Sequence, residues 1–453
     1  MKRLALAAAI AVSATTLASS VQAQLWLRDR AATQGPGIRT GDVEIHPGVA
    51  AEIGYDSNFF NRSDQLGPRY PVVGTTLLRI TPQLHITNLR GQRAEGGGAP
   101  PKVAFQLGGA FIHQEFLTNT DLLGRSRQYG ALADALVQFL PGQPVGFNVY
   151  DNFVRTAQPS LDPDVTVGLN RIENRAGGEL VLTKRGGLFD WRFGYAFGLT
   201  HFESGPAQDL NNTRHELYTR GRFRFLPRTA LIYDGSVWFF RFNRQLPGLS
   251  DSTPVRARIG LSGLLTYRFA LLAMVGWGAS FYQNAKGAPE GATRDSDSII
   301  GQLEARYYLA GNVEAGEVNA SLPSVFAGLT RDFQNSYIGN FYERTRGYVG
   351  IQQLFGGVFY TSVTGGLAAI RYADVLDRRT GVLLVNSFTN TRIDASVFLE
   401  YRVTNWLGIN GTFQYLAENS DVRIPLTSTD PSLGTFVIGF NRFQAYGGVR
   451  VFY

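Results

Sequence analysis

From residue 43 the chain alternates. Val43, Ile45, Pro47, Val49, Ala51, Ile53 and Tyr55 interleave with Glu44, His46, Gly48, Ala50, Glu52, Gly54 and Asp56. Successive side chains of a β-strand point to opposite faces, so a period of two builds a ribbon with one apolar and one polar side. The pattern recurs to the carboxyl end, in about eighteen segments near 43–56, 72–89, 102–117, 127–140, 145–156, 170–184, 188–203, 213–226, 229–243, 255–268, 270–284, 296–309, 318–333, 341–354, 357–373, 388–402, 405–417 and 436–453. The chain is 44% hydrophobic, yet after residue 23 no apolar run reaches the length of a membrane-spanning helix. Apolar side chains at every second position suit a sheet, and a sheet that leaves no edge in lipid must close on itself.

The connections fall into two kinds. Links after even-numbered segments are tight: Leu140-Pro141-Gly142-Gln143-Pro144, Lys184-Arg185-Gly186-Gly187, Leu226-Pro227-Arg228, Phe355-Gly356-Gly357 and Thr404-Asn405. Those after odd-numbered segments are longer and polar, as at 204–212, 244–254, 284–295 and 418–434. Transmembrane β-barrels have this asymmetry, with turns in the periplasm and loops outside. Two links on the short side, 90–102 and 310–317, are long. The expected fold is all-β: one closed antiparallel transmembrane barrel of about 18 strands over 43–453.

Cost decides which face meets lipid, because an Arg or Lys there near the midplane is unfavourable by about 2–4 kcal/mol. Segment 213–226 puts Arg214, Glu216, Arg220, Arg222 and Arg224 on one side, opposite Leu217, Thr219, Gly221, Phe223 and Phe225. The charged side must face the lumen. By the same parity Arg192, Arg256, Arg258, Arg268, Arg346, Arg442 and Arg450 point inward, among Glu52, Glu179, Asp234, Asp394 and Glu400. Arg192, Arg214, Arg220, Arg222, Arg224, Arg256, Arg258, Arg268 and Arg346 are the candidate solute contacts, since planar guanidinium groups match carboxylates, phosphates and sulfates. The same groups suit bracing of the wall by ion pairs. A formal net charge of +7 favours anions near the pore. Without a recognised binding motif it does not point to nucleic acid.

Both termini carry targeting features. Met1-Lys2-Arg3, the apolar run 4–17 and Val21-Gln22-Ala23 read as a signal peptide over 1–23, leaving 24–42 as a periplasmic segment ahead of the barrel. The chain has no cysteine, so neither a lipoprotein anchor nor a disulfide frame is available. The last segment alternates through Val449 and Val451 to a terminal Tyr453, and resembles the signal read by the outer-membrane assembly machinery.

One stretch carries a further resemblance. His46-Pro47-Gly48-Val49-Ala50-Ala51-Glu52-Ile53-Gly54-Tyr55-Asp56-Ser57-Asn58-Phe59-Phe60, followed by Leu78-Arg79-Ile80-Thr81-Pro82-Gln83-Leu84, resembles the start of a family of outer-membrane β-barrel porins with a GYDSN-type motif, here Gly54, Tyr55, Asp56, Ser57 and Asn58. The resemblance covers the first two strands. It implies an association with exopolysaccharide secretion, the barrel being the partner of a periplasmic polysaccharide-export protein. Read from its own residues, the motif is a strand end: Tyr55 joins the interfacial aromatic belt, and Asp56, Ser57 and Asn58 open the first external loop. Pro82, inside a strand, has no ladder donor and predicts a bulge.

Catalysis finds little support. His46, His85, His113, His201 and His215 show no metal-ligand spacing. His201 and His215 flank one external loop with Ser204 and Asp209, but parity turns both rings outward, away from any hydrolytic site. Asp162 and Asp164 around Pro163 are too few carboxylates for calcium. No enzyme, cofactor or metal is expected. Two functions remain, both in the outer membrane of a Gram-negative bacterium and surrounded by its lipid. The first, preferred on the resemblance and on external loops of only moderate length at 374–387 and 418–435, is a translocation pore for an exopolysaccharide. The second is a passive diffusion porin for small anionic solutes.

Overall fold

The computed structural model describes residues 35–66, 71–88, 102–118, 123, 129–156, 170–184, 187–203, 205–283, 295–309, 323–425 and 435–453. The expected signal peptide, most of the two anomalous links, Ser204, Asp162 and Asp164 lie outside them. Eighteen long strands form the wall: β1 Val43–Asp56, β2 Thr75–Thr87, β3 Val103–Phe116, β4 Tyr129–Phe139, β5 Val145–Thr156, β6 Arg171–Thr183, β7 Phe189–Phe202, β8 Asn212–Leu226, β9 Thr229–Phe242, β10 Ser252–Leu264, β11 Phe269–Tyr282, β12 Ser296–Tyr308, β13 Ser324–Asn335, β14 Phe341–Phe355, β15 Phe359–Tyr372, β16 Phe388–Arg402, β17 Leu407–Asn419 and β18 Phe440–Phe452. Each pairs antiparallel with the next, and β1 pairs with β18 from Gly48↔Phe452 to Asp56↔Gln444, which closes the sheet. Residues 38–40 fold back as a short strand on the periplasmic end of β1.

Parity places the side chains as lipid requires. On β8, Leu217, Phe223 and Phe225 are exposed outward, whereas Arg214, Arg220, Arg222 and Arg224 are partly covered on the lumen side. Tight periplasmic turns hold this register. Gly356 and Gly357, at φ of 55° and 75°, give the left-handed pair that lets the Val358 amide reach back to the Phe355 carbonyl at 3.1 Å across the turn. Pro82 forms no bulge: the β2–β3 register is the same on either side of it, from Ile80↔His113 to Gln83↔Ala110, and the ladder lacks only the two pairs between them. In mid-strand, one acid departs from the parity rule. Asp151 is exposed on the outward face of β5, beside Val149, and takes a hydrogen bond from Asn174 Nδ2 of β6 at 2.6 Å.

The motif around Asp56 is the seam between first and last strands. Asp56 is fully buried and accepts from Arg442 Nε and Nη2 at 3.0 and 2.6 Å and from Gln444 Nε2 at 2.8 Å. Arg442 also reaches Asn61 Oδ1 at 3.0 Å, and Asn58 Nδ2 donates to the Arg62 and Asn441 carbonyls at 2.7 and 3.0 Å. Ser57 Oγ accepts from the Phe443 amide at 2.8 Å, and the outward ring of Tyr55 lies 5.6 Å from that of Phe443. A Cβ at Gly54 would stand 2.2 Å from the Tyr446 ring, so only glycine lets β18 approach. Asp56 therefore ends a strand as expected, but inside the wall rather than in a solvated loop.

Two outcomes follow for stability. Asp56→Ala leaves the Arg442 guanidinium buried without its carboxylate, and is expected to lower unfolding free energy by about 3–5 kcal/mol, read from urea unfolding of the folded barrel. Pairing it with Arg442→Leu should recover most of that loss. The double change Asp151→Leu and Asn174→Leu should raise the urea midpoint instead, because it removes a polar pair from the lipid face.

Candidate functional site: the lumen and its external mouth

The inner wall is a lattice of ion pairs within strands, between neighbours and between strands two apart, where a long side chain leans over its neighbour to the next. Glu179 of β6 is the densest node: it accepts from Asn148 Nδ2 at 2.8 Å, Arg192 Nη1 at 3.0 Å, Tyr218 Oη at 3.1 Å and Arg220 Nη2 at 2.8 Å. Arg192 also meets Asp190 at 3.1 Å, Arg175 meets Glu216 at 2.9 Å, Arg258 meets Asp234 at 3.0 Å and Arg346 meets Asp394 at 2.5 Å. Near the seam Arg79, stacked 3.5 Å from the Tyr446 ring centre, pairs with Glu52 at 3.3 Å, and Arg450 is held by Glu400.

Among the nine candidate arginines the lattice thus engages Arg192, Arg220, Arg256, Arg258 and Arg346. Arg222 and Arg224 face the periplasmic half of the lumen with no ion pair or side-chain hydrogen bond among the described residues. Arg222 lies opposite Asp190 in register, but that carboxylate is taken by Arg192. Arg214 makes no ion pair either among the described residues and rests 5.2 Å from the Trp238 ring centre. Arg268 is not a lumen residue. β10 ends at Leu264, and Arg268 sits in the exposed turn 265–268 that follows, so the alternation read through it was that of a turn. Across β7 to β10 the inner wall holds Arg192, Arg214, Arg220, Arg222, Arg224, Arg256 and Arg258 against Asp190, Glu216, Asp234 and the neighbouring Glu179, which leaves that side of the lumen positive.

The external mouth is crossed by chain. β13 leaves β12 after Gly301↔Arg331 but stays paired with β14 as far as Asn335↔Phe341, so the tip of this hairpin bends over the lumen. It lands on β10 and β11. Arg256 Nε pairs with Asp332 at 3.2 Å, its guanidinium lies 4.4 Å from the Phe333 ring centre, and Asn335 Nδ2 donates to Ser252 Oγ at 2.8 Å. Tyr282 Oη donates to the Asn340 carbonyl at 2.9 Å. A Cβ at Gly278 would stand 2.4 Å from the Phe333 ring, so the glycine makes the berth. From the tip Tyr337 reaches farther, its ring edge-on to Phe202 at 5.7 Å and its hydroxyl accepting from Asn212 Nδ2 at 3.2 Å. Burial, reinforced by the Glu173 carboxylate, pushes its phenol up to about 12, so the contact keeps its proton at any ordinary pH.

Other loops interlock with the tip. Arg378 of loop 373–387 donates to the Tyr337 carbonyl at 3.0 Å, and its own carbonyl accepts from the Gly248 amide of loop 243–251 at 3.0 Å. Val375, Ile424 and Ile438 form a small core with Ile338, Leu384, Val385, Phe388 and Val422. On the far side Phe59 and Phe60 of the first loop pack over the lumen-facing Leu77, Phe116 and Tyr446. Loops of moderate length thus narrow the mouth by locking together. This is the fold of an outer-membrane β-barrel.

The other sequence candidates do not assemble into a site. His215 takes Tyr195 Oη at 2.6 Å on the outward face, His201 Nδ1 is 3.1 Å from Asn211 Nδ2, and Asp209 holds Arg244 at 2.6 Å. No group of three or more His, Asp or Glu is placed to hold a metal among the described residues. Sequence reasoning missed Trp238, although its parity in β9 was readable. It also missed Tyr337, for which a five-residue link gives no signal.

No family model and no curated protein matches the chain. Among solved structures it is similar to the outer membrane protein OpdK of Pseudomonas aeruginosa, at 12% identity and a TM-score of 0.42 over 90% of this chain and 98% of that one. A BenF-like porin from Pseudomonas fluorescens Pf-5 gives 10% and 0.45 over 91% and 99%, and the FrpB iron transporter of Neisseria meningitidis 8% and 0.44 over 90% and 81%. At this level the likeness is one of fold and says nothing of cargo.

The latch makes a direct expectation. Arg256→Ala and Tyr337→Ala should each raise single-channel conductance in planar bilayers and let larger neutral sugars swell channel-bearing liposomes. Wild-type conductance in both variants would mean that the hairpin tip does not limit the pore.

Proposed function

We propose that the chain is a passive diffusion porin for small anionic solutes. The observation that carries the reading is the interlocked external mouth. An extended polysaccharide needs a mouth that stays open over its whole width, whereas a small solute needs only a gap, and the hairpin tip of β13 and β14 with its partner loops supports the second requirement over the first. Charge supplies the sign of the solute. Arg222 and Arg224 make no ion pair among the described residues where the lumen opens to the periplasm, and a positive surface in a narrow, low-dielectric channel concentrates anions.

Export of an exopolysaccharide, the implication of the motif resemblance, loses its support in the seam: Gly54, Asp56, Ser57 and Asn58 are each occupied in joining β1 to β18. No observation on the periplasmic face favours a polysaccharide-export protein as partner.

Reversal potentials in a potassium chloride gradient test the proposal. The wild-type channel should pass chloride in preference to potassium, and the double change Arg222→Gln and Arg224→Gln should cut that preference by about twofold or more. A cation-preferring wild type would sink the anion assignment. Loss of surface polysaccharide on deletion of the gene, with unchanged uptake of small anions, would return the chain to export.

A further inference from the structure

We propose that Trp238 and the two guanidinium groups flanking it, Arg214 and Arg256, form a binding subsite for the carboxylate of a monoanionic solute, on the lumen wall beneath the hairpin tip. The proposal rests on the porin reading and names the place where its cargo pauses. Trp238 faces the lumen from β9, between β8 and β10. Its register partner on β8 is Glu216. Arg214 is the next inward residue on β8 toward the mouth, opposite Phe240, and Arg256 is opposite Ser236 on β10, so both arginines are diagonal neighbours of the indole. Their Cζ atoms lie 5.2 and 4.6 Å from its ring centre.

What marks the place is a set of donors without acceptors. Trp238 Nε1 is buried and has no hydrogen-bond partner, and neither has Nη1 of Arg256, a residue only 8% exposed. Arg214 makes no ion pair or hydrogen bond among the described residues. The acids that could have served are committed: Glu216 to Arg175, Asp332 to Arg256 and Asp234 to Arg258. Leaving a buried donor unmade is costly, and here two such donors and an arginine without an ion pair share one stretch of wall. Arg214 has no ion pair of its own, its neighbours Glu216 and Glu173 being paired with Arg175 and Arg171, and one such guanidinium matches a monoanion. An indole N–H with guanidinium N–H groups supplies donors for both oxygens of a carboxylate. The Arg256 side of the subsite also holds the hairpin tip through Asp332, so solute and constriction share one residue.

Benzoate and its uncharged isostere benzamide separate the possibilities. Single wild-type channels in planar bilayers should show brief current interruptions with benzoate and none with benzamide. Arg214→Gln, which removes no ion pair from the wall, should weaken benzoate by about tenfold, and Trp238→Phe should weaken it to a lesser degree. In detergent, benzoate should change the tryptophan emission of the wild type and not that of Trp238→Phe, a readout independent of pore formation. Equal interruption by benzamide, or wild-type benzoate affinity in Arg214→Gln, overturns the subsite. If the wild type prefers anions but benzoate leaves both current and emission unchanged, the subsite fails and the porin reading stands; if it prefers cations, the reading beneath the subsite has failed.

Discussion

The fold depends on closure. A sheet in hydrocarbon can leave no backbone group unpaired, so the first strand must find the last, nearly four hundred residues away in sequence. At the external end of that join the chain places a buried carboxylate, Asp56, against a bidentate guanidinium, Arg442, a geometry in which a slip of one residue would turn one of the two groups toward lipid and strand the other. The pair does more than attract. It specifies register at the one contact that no hairpin turn can specify, and the surrounding Asn58, Ser57 and Asn61 extend the specification into the first loop.

Closure in turn dictates the lumen. Every charge excluded from lipid arrives on the inner face, where it must find a partner or a solute. Most find partners, on the neighbouring strand or on the next one: Arg192 and Arg220 with Glu179, Arg175 with Glu216, Arg346 with Asp394. Removing one member of such a pair strands the other, so the lattice resists change as a unit. Three exceptions among the described residues, Arg214, Arg222 and Arg224, share one strand, β8, and give the otherwise braced pore a side with an electrostatic preference.

The sequence made the wall readable and the mouth opaque, for a physical reason. Alternation is local, and the eighteen segments expected from it coincide with the eighteen strands, several to the residue, as at Val145–Thr156 and Phe388–Arg402. Lumen orientation followed from the same parity, failing only at Arg268, where a turn continues the alternation by chance. Pairing was not readable, because parity says which face a charge takes and not which strand two away supplies its counter-ion. The bend of β13 was least readable of all. Its residues 332–335 keep strand character and strand composition; what differs is that β12 no longer accompanies them, and nothing local to the sequence records the loss of a neighbour.

Size and charge are therefore governed by different parts of one chain. Passage width is set outside, where Tyr337, Arg378 and Gly248 lock loops that were each too short to cross the pore alone. Charge preference is set within the wall, by what the ion-pair lattice leaves over. The two meet at Arg256, which braces the hairpin tip through Asp332 and stacks on Trp238. A solute that competes for that guanidinium loosens the constriction it must pass, so affinity for the wall and width of the mouth are coupled through a single side chain. In a rigid barrel, where the strands themselves cannot move apart, such a coupling can act only through an element that has already left the sheet, and the tip of β13 and β14 is that element.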